Sequence, residues 1–172
     1  FVVQKAYRSM SLSDYIAKQK QTVYQFRAEP MFQERTDFKD YRKPLAVIFE
    51  DSYCSDCEEF HDKVLHHPEV LPELGKFLVV QLNADSNQTI TTVNGKLSSP
   101  KQWAEQLKMH YRPVIVLFNE GKEQARISGM FYHFHFKEML RYISGAHYKN
   151  FPTFSKYSAA RRSELSGKNA TI

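Results

Sequence analysis

Leu45-Ala-Val-Ile-Phe49 is a continuous apolar run with β-branched members, and it leads directly into a loop carrying Cys54 and Cys57. Such a run suits a strand buried on both faces of a sheet. Beyond the cysteines, Phe60, Val64 and Leu65 share one helical face, and His66-His67-Pro68 stops that helix. The cysteine pair therefore sits at a strand-to-helix turn.

The same reading extends along the chain. Pro68 to Leu74 forms a second short helix leading to Gly75, and Phe77 to Leu82 is the next strand. Residues 83–98 are an excursion in which Asn94-Gly95, a pair that accepts positive φ, predicts a small β-hairpin. Ser99 caps a helix with Pro100 at its first position, and Trp103 is a packing residue on it. Pro113 opens a strand from Val114 to Phe118, joined through Asn119 to Lys122 to a strand ending near Gly129. Phe136, Met139, Leu140 and Ile143 keep the spacing of a last helix over 134–144, which Gly145 terminates. Ahead of the first strand, Leu12, Ile16, Val23 and Phe26 predict a helix from about Leu12 to Arg27, ended by Pro30, with a shorter helical piece before Pro44. A parallel strand pair with a crossover helix, followed by an antiparallel pair, is mixed α/β architecture.

The 172 residues suit one domain with appendages. The net charge is +5, but from Lys149 onward five basic residues face one acid, so the tail carries most of it. Nucleic-acid binders spread their cations over a folded face, so no nucleic-acid partner is expected. No stretch approaches the roughly 20 apolar residues of a membrane helix, and the chain reads as soluble. It begins with Phe1 rather than Met, which fits a removed export signal and equally a trimmed chain.

Two cysteines separated by two residues are a zinc half-site, a redox couple or a coincidence. Structural zinc wants four ligands, and no second cysteine pair exists. His61, one turn beyond Cys57, keeps a soft-metal site with the cysteines open as an alternative, copper included. The plainer reading of His61, His66 and His67 is a solvated helix face. As a staple the pair is weak, since closing so short a loop removes roughly 2 kcal/mol of chain entropy. Redox exchange makes better use of the location: a helix N-terminus favours thiolate at Cys54, and Cys57 resolves the mixed disulfide from one turn in. Tyr53 and the group Phe131, Tyr132, Phe134 and Phe136 either flank a substrate groove or fill the core.

A strand, a Cys-x-x-Cys turn, a helix, and a strand led by Pro113, with glycines at 121 and 129 before the last helix, resemble the thioredoxin superfamily over about residues 44–145. Phe49-Glu50 before the motif, the stretch from Glu59 to Val70 after it, the hairpin, and the run from Arg141 to Tyr148 resemble the SoxW-like periplasmic thioredoxins associated with sulfur oxidation. The resemblance implies a thioredoxin fold, with a mixed central sheet flanked by helices, an N-terminal helical extension over 1–43, the fold proper over 44–148 with its β-hairpin insertion, and a basic tail over 149–172. It implies a periplasmic or otherwise exported thiol-disulfide oxidoreductase, monomeric, acting on protein disulfides and kept reduced by a membrane electron donor of the DsbD or CcdA kind. It further implies that Pro113 is cis and opposite the cysteines. The disulfide itself is the redox group, so neither cofactor nor metal is expected.

The chain also departs from that pattern. The buried Asp that thioredoxins carry six residues before the first cysteine is replaced by Ile48, so Glu50 or water is expected to accept the proton. The motif interior is Ser55-Asp56, and Arg112 precedes Pro113. A carboxylate at Asp56 opposes thiolate formation at Cys54, and Arg112 is expected either to pair with Asp56 and cancel much of that penalty or to point to solvent.

Overall fold

The computed structural model describes Ser11, Ser13 and residues 24–129 and 132–169. Its centre is β1 (Leu45–Glu50), every residue of which is buried. It runs parallel to β2 (Leu78–Asn83) with Leu45 opposite Leu78, and antiparallel to β5 (Val114–Asn119) with Leu45 opposite Phe118. With β6 (Lys122–Ser128) beside β5, the sheet order is β2-β1-β5-β6.

Strand alternation divides the core in two. Ala46, Ile48, Ile115 and Leu117 face one cluster with Phe60, Val64, Leu74, Phe136 and Leu140. Leu45, Val47, Phe49, Val114, Val116 and Phe118 face another with Phe38 and Trp103. At roughly 1.5–3 kcal/mol for each fully buried large apolar side chain, this double burial explains why β1 reads as an unbroken apolar run.

The first cluster is covered by α1 (Cys57–Phe60), the π-helical turn His61–Leu65 that continues it, α2 (Leu71–Leu74) and α4 (His133–Ser144). The second is covered by α3 (Pro100–Gln106), where the Ser99 side chain accepts a 3.2 Å hydrogen bond from the Gln102 N–H and Trp103 packs against Phe38, Phe49 and Phe118. The hairpin pairs β3 (Ile90–Thr91) with β4 (Leu97–Ser98). In its turn only Gly95 takes a positive φ, while Asn94 does not. The β5–β6 turn places both Glu120 and Gly121 at positive φ, as a two-residue hairpin of the right twist requires.

Two expectations about the ends are corrected. Residues 24–43 contain no helix: Tyr24–Arg27 is irregular, and the segment then makes isolated parallel bridges, Phe32 to Val79 and Asp37 to Thr91. Its backbone is committed elsewhere, with the Tyr24 N–H donating to the Ser52 carbonyl at 2.9 Å and the Gln33 N–H to Val79 at 2.9 Å. The predicted helix over 12–23 lies outside the described residues apart from Ser13. At the other end the helix over 134–144 is followed by another, α5 (Phe154–Asn169), in what reads from sequence as a tail. Phe154 and Tyr157 supply its anchor on the first cluster, and Tyr157 lies against the rings of Tyr142, Phe151 and His147. Among the described residues no helix is long and apolar enough to cross a membrane.

The buried ring of Tyr157 makes α5 part of the folded body. Tyr157→Ala should lower the unfolding free energy by about 3 kcal/mol, read from urea melts; a loss below about 1 kcal/mol would mean that α5 only rests on the surface.

Candidate redox site

β1 delivers the chain to the site. After Glu50, the Asp51 carbonyl accepts from the Cys54 N–H at 3.2 Å and the Asp51 side chain accepts from the Tyr53 N–H at 3.0 Å, which folds the loop into a tight turn. Cys54 and Cys57 are joined in a disulfide. Cys57 opens α1 and is wholly buried, whereas Cys54, in the loop before the helix, retains 5% of its surface. Between them the Ser55 hydroxyl donates to Asp56 at 3.1 Å. Asp56 occupies the N-cap position of α1 without a side-chain capping bond. Tyr53 is 79% exposed, so it stands out from the loop and is not core.

The Arg112–Pro113 peptide bond is cis. Arg112 is turned toward the cysteine loop, but its partner is Asp51 and not the expected Asp56: Nε lies 3.2 Å from Asp51 Oδ2, with both side chains mostly covered. Nε makes no hydrogen bond, so this contact is an ion pair only, while Nη1 donates to the carbonyls of Met109 at 3.2 Å and Tyr111 at 2.7 Å. Those two bonds aim the guanidinium at Asp51, the first residue after β1 and upstream of the cysteines. Of the aromatic group after β6, Phe131 lies outside the described residues, Tyr132 is exposed, Phe134 is half-buried under Lys137, and Phe136 is core.

Glu50 is the most elaborately held side chain of the site. It is fully buried, and its Oε2 accepts from the Tyr24 hydroxyl at 2.9 Å and from Gln81 at 2.6 Å. Its Oε1 lies 2.8 Å from His61 Nε2, and the other ring nitrogen of His61, Nδ1, lies 2.9 Å from Glu29 Oε1. Glu29 Oε2 in turn meets His66 Nε2 at 2.8 Å. His61 has no exposed surface, which corrects its reading as a solvated residue. Both its nitrogens are taken by carboxylates, so it is not free to ligate a metal with the cysteines.

A neutral imidazole owns one N–H and would turn a lone pair toward one of these carboxylates; an imidazolium satisfies both. The energetics agree in direction. Burial alone would lower the His61 pKa, but the hydrogen bonds and charges of Glu50 and Glu29 outweigh it and hold it above the usual histidine value. Burial would likewise raise Glu29, yet the bonds from His61 and His66 hold its carboxyl below the ordinary glutamate range. The Tyr24 phenol is pushed well up by burial and by the charge of Glu50.

Sequence reasoning placed Glu50 at the site but missed Tyr24, Glu29 and Gln81. The spacing from Cys57 to His61 was the one available signal. Elsewhere, His67, Glu69 and His133 bring donor atoms within 4.8 Å of one another, with the two imidazoles stacked at 3.6 Å and Glu69 bound to Lys137. A cleft of about 440 Å³ beside α4 and α5, lined in part by Glu73, Arg141 and Arg161, includes no residue of the cysteine loop.

A family described as a thioredoxin-like domain matches residues 31–144. Thiol:disulfide interchange protein DsbD of Photorhabdus laumondii is 26% identical over 133 residues, 74% of this chain and 22% of that protein, so the chain spans about a fifth of this relative's length. Among solved structures, a thioredoxin-fold protein from Helicobacter pylori superposes with a TM-score of 0.66 at 17% identity, covering 83% of this chain and 94% of the other. That likeness establishes the thioredoxin fold.

The charged chain through His61 sets a pH window for stability. Glu29, with its folded pKa lowered, stabilises above the usual glutamate range and loses that contribution as pH falls through its folded value; His61, raised, contributes fully below about 6.5 and loses it as pH rises through its own. Glu29→Gln should therefore cost about 2 kcal/mol at pH 6 and much less at pH 3, read from urea melts at both. An equal loss at the two values would contradict the ionised arrangement.

Proposed function

The chain belongs to the thioredoxin-like domain family, and on that premise we propose that it is a thiol-disulfide oxidoreductase that reduces protein disulfides through Cys54 and Cys57. The observation that carries the reading is the asymmetry of the pair: Cys54 keeps a sliver of exposed surface beside an exposed tyrosine, and Cys57 keeps none at the first turn of a helix.

The chemistry follows from that asymmetry. In the dithiol form, the Cys54 thiolate attacks one sulfur of a partner's disulfide; that bond breaks, a Cys54–partner disulfide forms, and the partner's second sulfur leaves as thiolate. Cys57, deprotonated, then attacks the Cys54 sulfur and expels the partner's remaining thiolate, which takes up a proton. Two electrons have passed to the partner, and the disulfide now seen is left behind. Glu50, four residues ahead of Cys54, or water at the loop serves as the site's proton acceptor where Ile48 cannot. Arg112, Pro113, Ser55 and Tyr53 shape the entry for the partner's chain, with Arg112 fixed by Asp51.

The wider setting is part of the same proposal: a periplasmic or exported monomer, in the manner of the SoxW-like proteins linked to sulfur oxidation, kept reduced by a membrane electron donor. The sequence resemblance and the kinship to a thiol:disulfide interchange protein support it.

Two experiments test the reading. In metal-free buffer with dithiothreitol, the protein should accelerate insulin reduction, and Cys54→Ser should remove at least about 100-fold of that rate, since the remaining thiol, Cys57, is wholly buried. Cys57→Ser should instead accumulate a mixed disulfide through Cys54. Activity surviving in Cys54→Ser would refute the mechanism. Asp56 has a narrower role: Asp56→Ala removes a negative charge next to Cys57, stabilises thiolate and should make the couple more oxidising by roughly 10–30 mV. A shift to a more reducing potential would argue against it.

A further inference from the structure

Tyr24, Arg27 and Glu29 precede the residues that the family match covers, 31–144, yet they reach the underside of the cysteine site. The segment that bears them is fastened at points that bracket the disulfide. The Tyr24 N–H donates to the carbonyl of Ser52, two residues before Cys54. Its hydroxyl donates to Glu50, where β1 ends. Glu29 grips His61, whose own N–H donates to the Cys57 carbonyl. A residue four positions on along a helix lies on the same face as its start, on the order of 6 Å away between Cβ atoms.

We propose that residues 24–29 are a working part of the redox site: by closing a buried Glu29–His61–Glu50 chain one turn beyond Cys57, they set how readily the cysteines ionise and hence the potential of the couple. The inference rests on the thiol-exchange reading above.

The charges that face His61 come from every element around it. Glu50 comes from β1, while Glu29, Arg27 and Tyr24 come from the N-terminal segment, Arg27 lying 3.4 Å from Glu29 Oε1. Asp62 and His66 come from its own helical stretch, Asp62 bound to Arg27 at 2.6 Å and His66 to Glu29. Gln81 of β2 is the neutral donor that completes Glu50, and the rings of Phe32 and Phe60 close the remaining sides edge-on. Two carboxylates and one imidazolium leave a net negative charge in a place shielded from water, where screening is weak. A nearby thiolate is disfavoured by that charge. Removing a carboxylate from the chain favours thiolate; removing the imidazolium disfavours it.

The opposite signs supply the test. In the fully reduced protein, the rate of Cys54 alkylation by iodoacetamide, followed against pH, should rise at lower pH in Glu29→Gln and at higher pH in His61→Gln. At a fixed pH on the rising limb this is about a threefold or larger acceleration and deceleration respectively. In glutathione buffers Glu29→Gln should be the more oxidising and His61→Gln the more reducing. A purely structural role would move neither, or would move both variants the same way. Either result overturns the proposal.

Should a variant not fold, the unmodified protein still decides. Because coupling is reciprocal, the His61 ring must titrate at a higher pH in the dithiol than in the disulfide form, followed by NMR; an identical titration in both forms overturns the inference. A protein whose Cys54 alkylates normally but never equilibrates with glutathione would defeat the thiol-exchange reading and the tuning with it. One that equilibrates, with both variants unshifted, defeats the tuning alone.

Discussion

The double burial of β1 is the constraint on which everything else hangs. A strand covered on both faces must be apolar throughout, must lie inside a sheet, and must bring its last residue to the edge of the core. That last residue is Glu50, wholly buried at the point where apolar packing gives way to the cysteine loop. The cost of burying such a carboxylate is large unless it is hydrogen-bonded and paired, and the surroundings supply a phenol, an amide and an imidazole drawn from three separate parts of the chain. The active loop is thus mounted on a rigid strand at one end and on α1 at the other, with the polar chain through His61 joining the two.

Much of this was legible from sequence because it is local. The run at Leu45, the cap at Ser99, the Pro100 start and the turn at Gly121 each carry their own short-range chemistry, and the structure forms all of them. The cysteine pair was legible for the same reason. What escaped were pairings over long separations. Nothing near Glu29 announces that it will meet a histidine 32 residues on, and a His in an amphipathic helix reads as solvated until its neighbours are known. Arg112 was read toward the right loop but the wrong carboxylate, because sequence cannot say that two backbone carbonyls will aim its guanidinium at Asp51.

At both ends of the chain a local sequence signal points away from the packing that prevails. Helical spacing of Leu12, Ile16, Val23 and Phe26 says nothing about residues 24–27 once the backbone of Tyr24 is claimed by Ser52. Toward the C-terminus, basic composition outweighed the aromatic run that precedes it. Phe151, Phe154 and Tyr157 are a hydrophobic anchor, and of the helix cations Lys156 and Arg162 are exposed while Arg161 turns back to the buried Glu138.

The bridge from Phe32 to Val79 covers the outer edge of β2, and the same strand of chain carries, a few residues earlier, the groups that enclose His61. One continuous stretch is therefore hem and plug together: it finishes a raw margin of the sheet and stops water at the floor of the active loop. Lifting it at either place strains the other, so wetting the buried imidazole and fraying that margin become a single mechanical event.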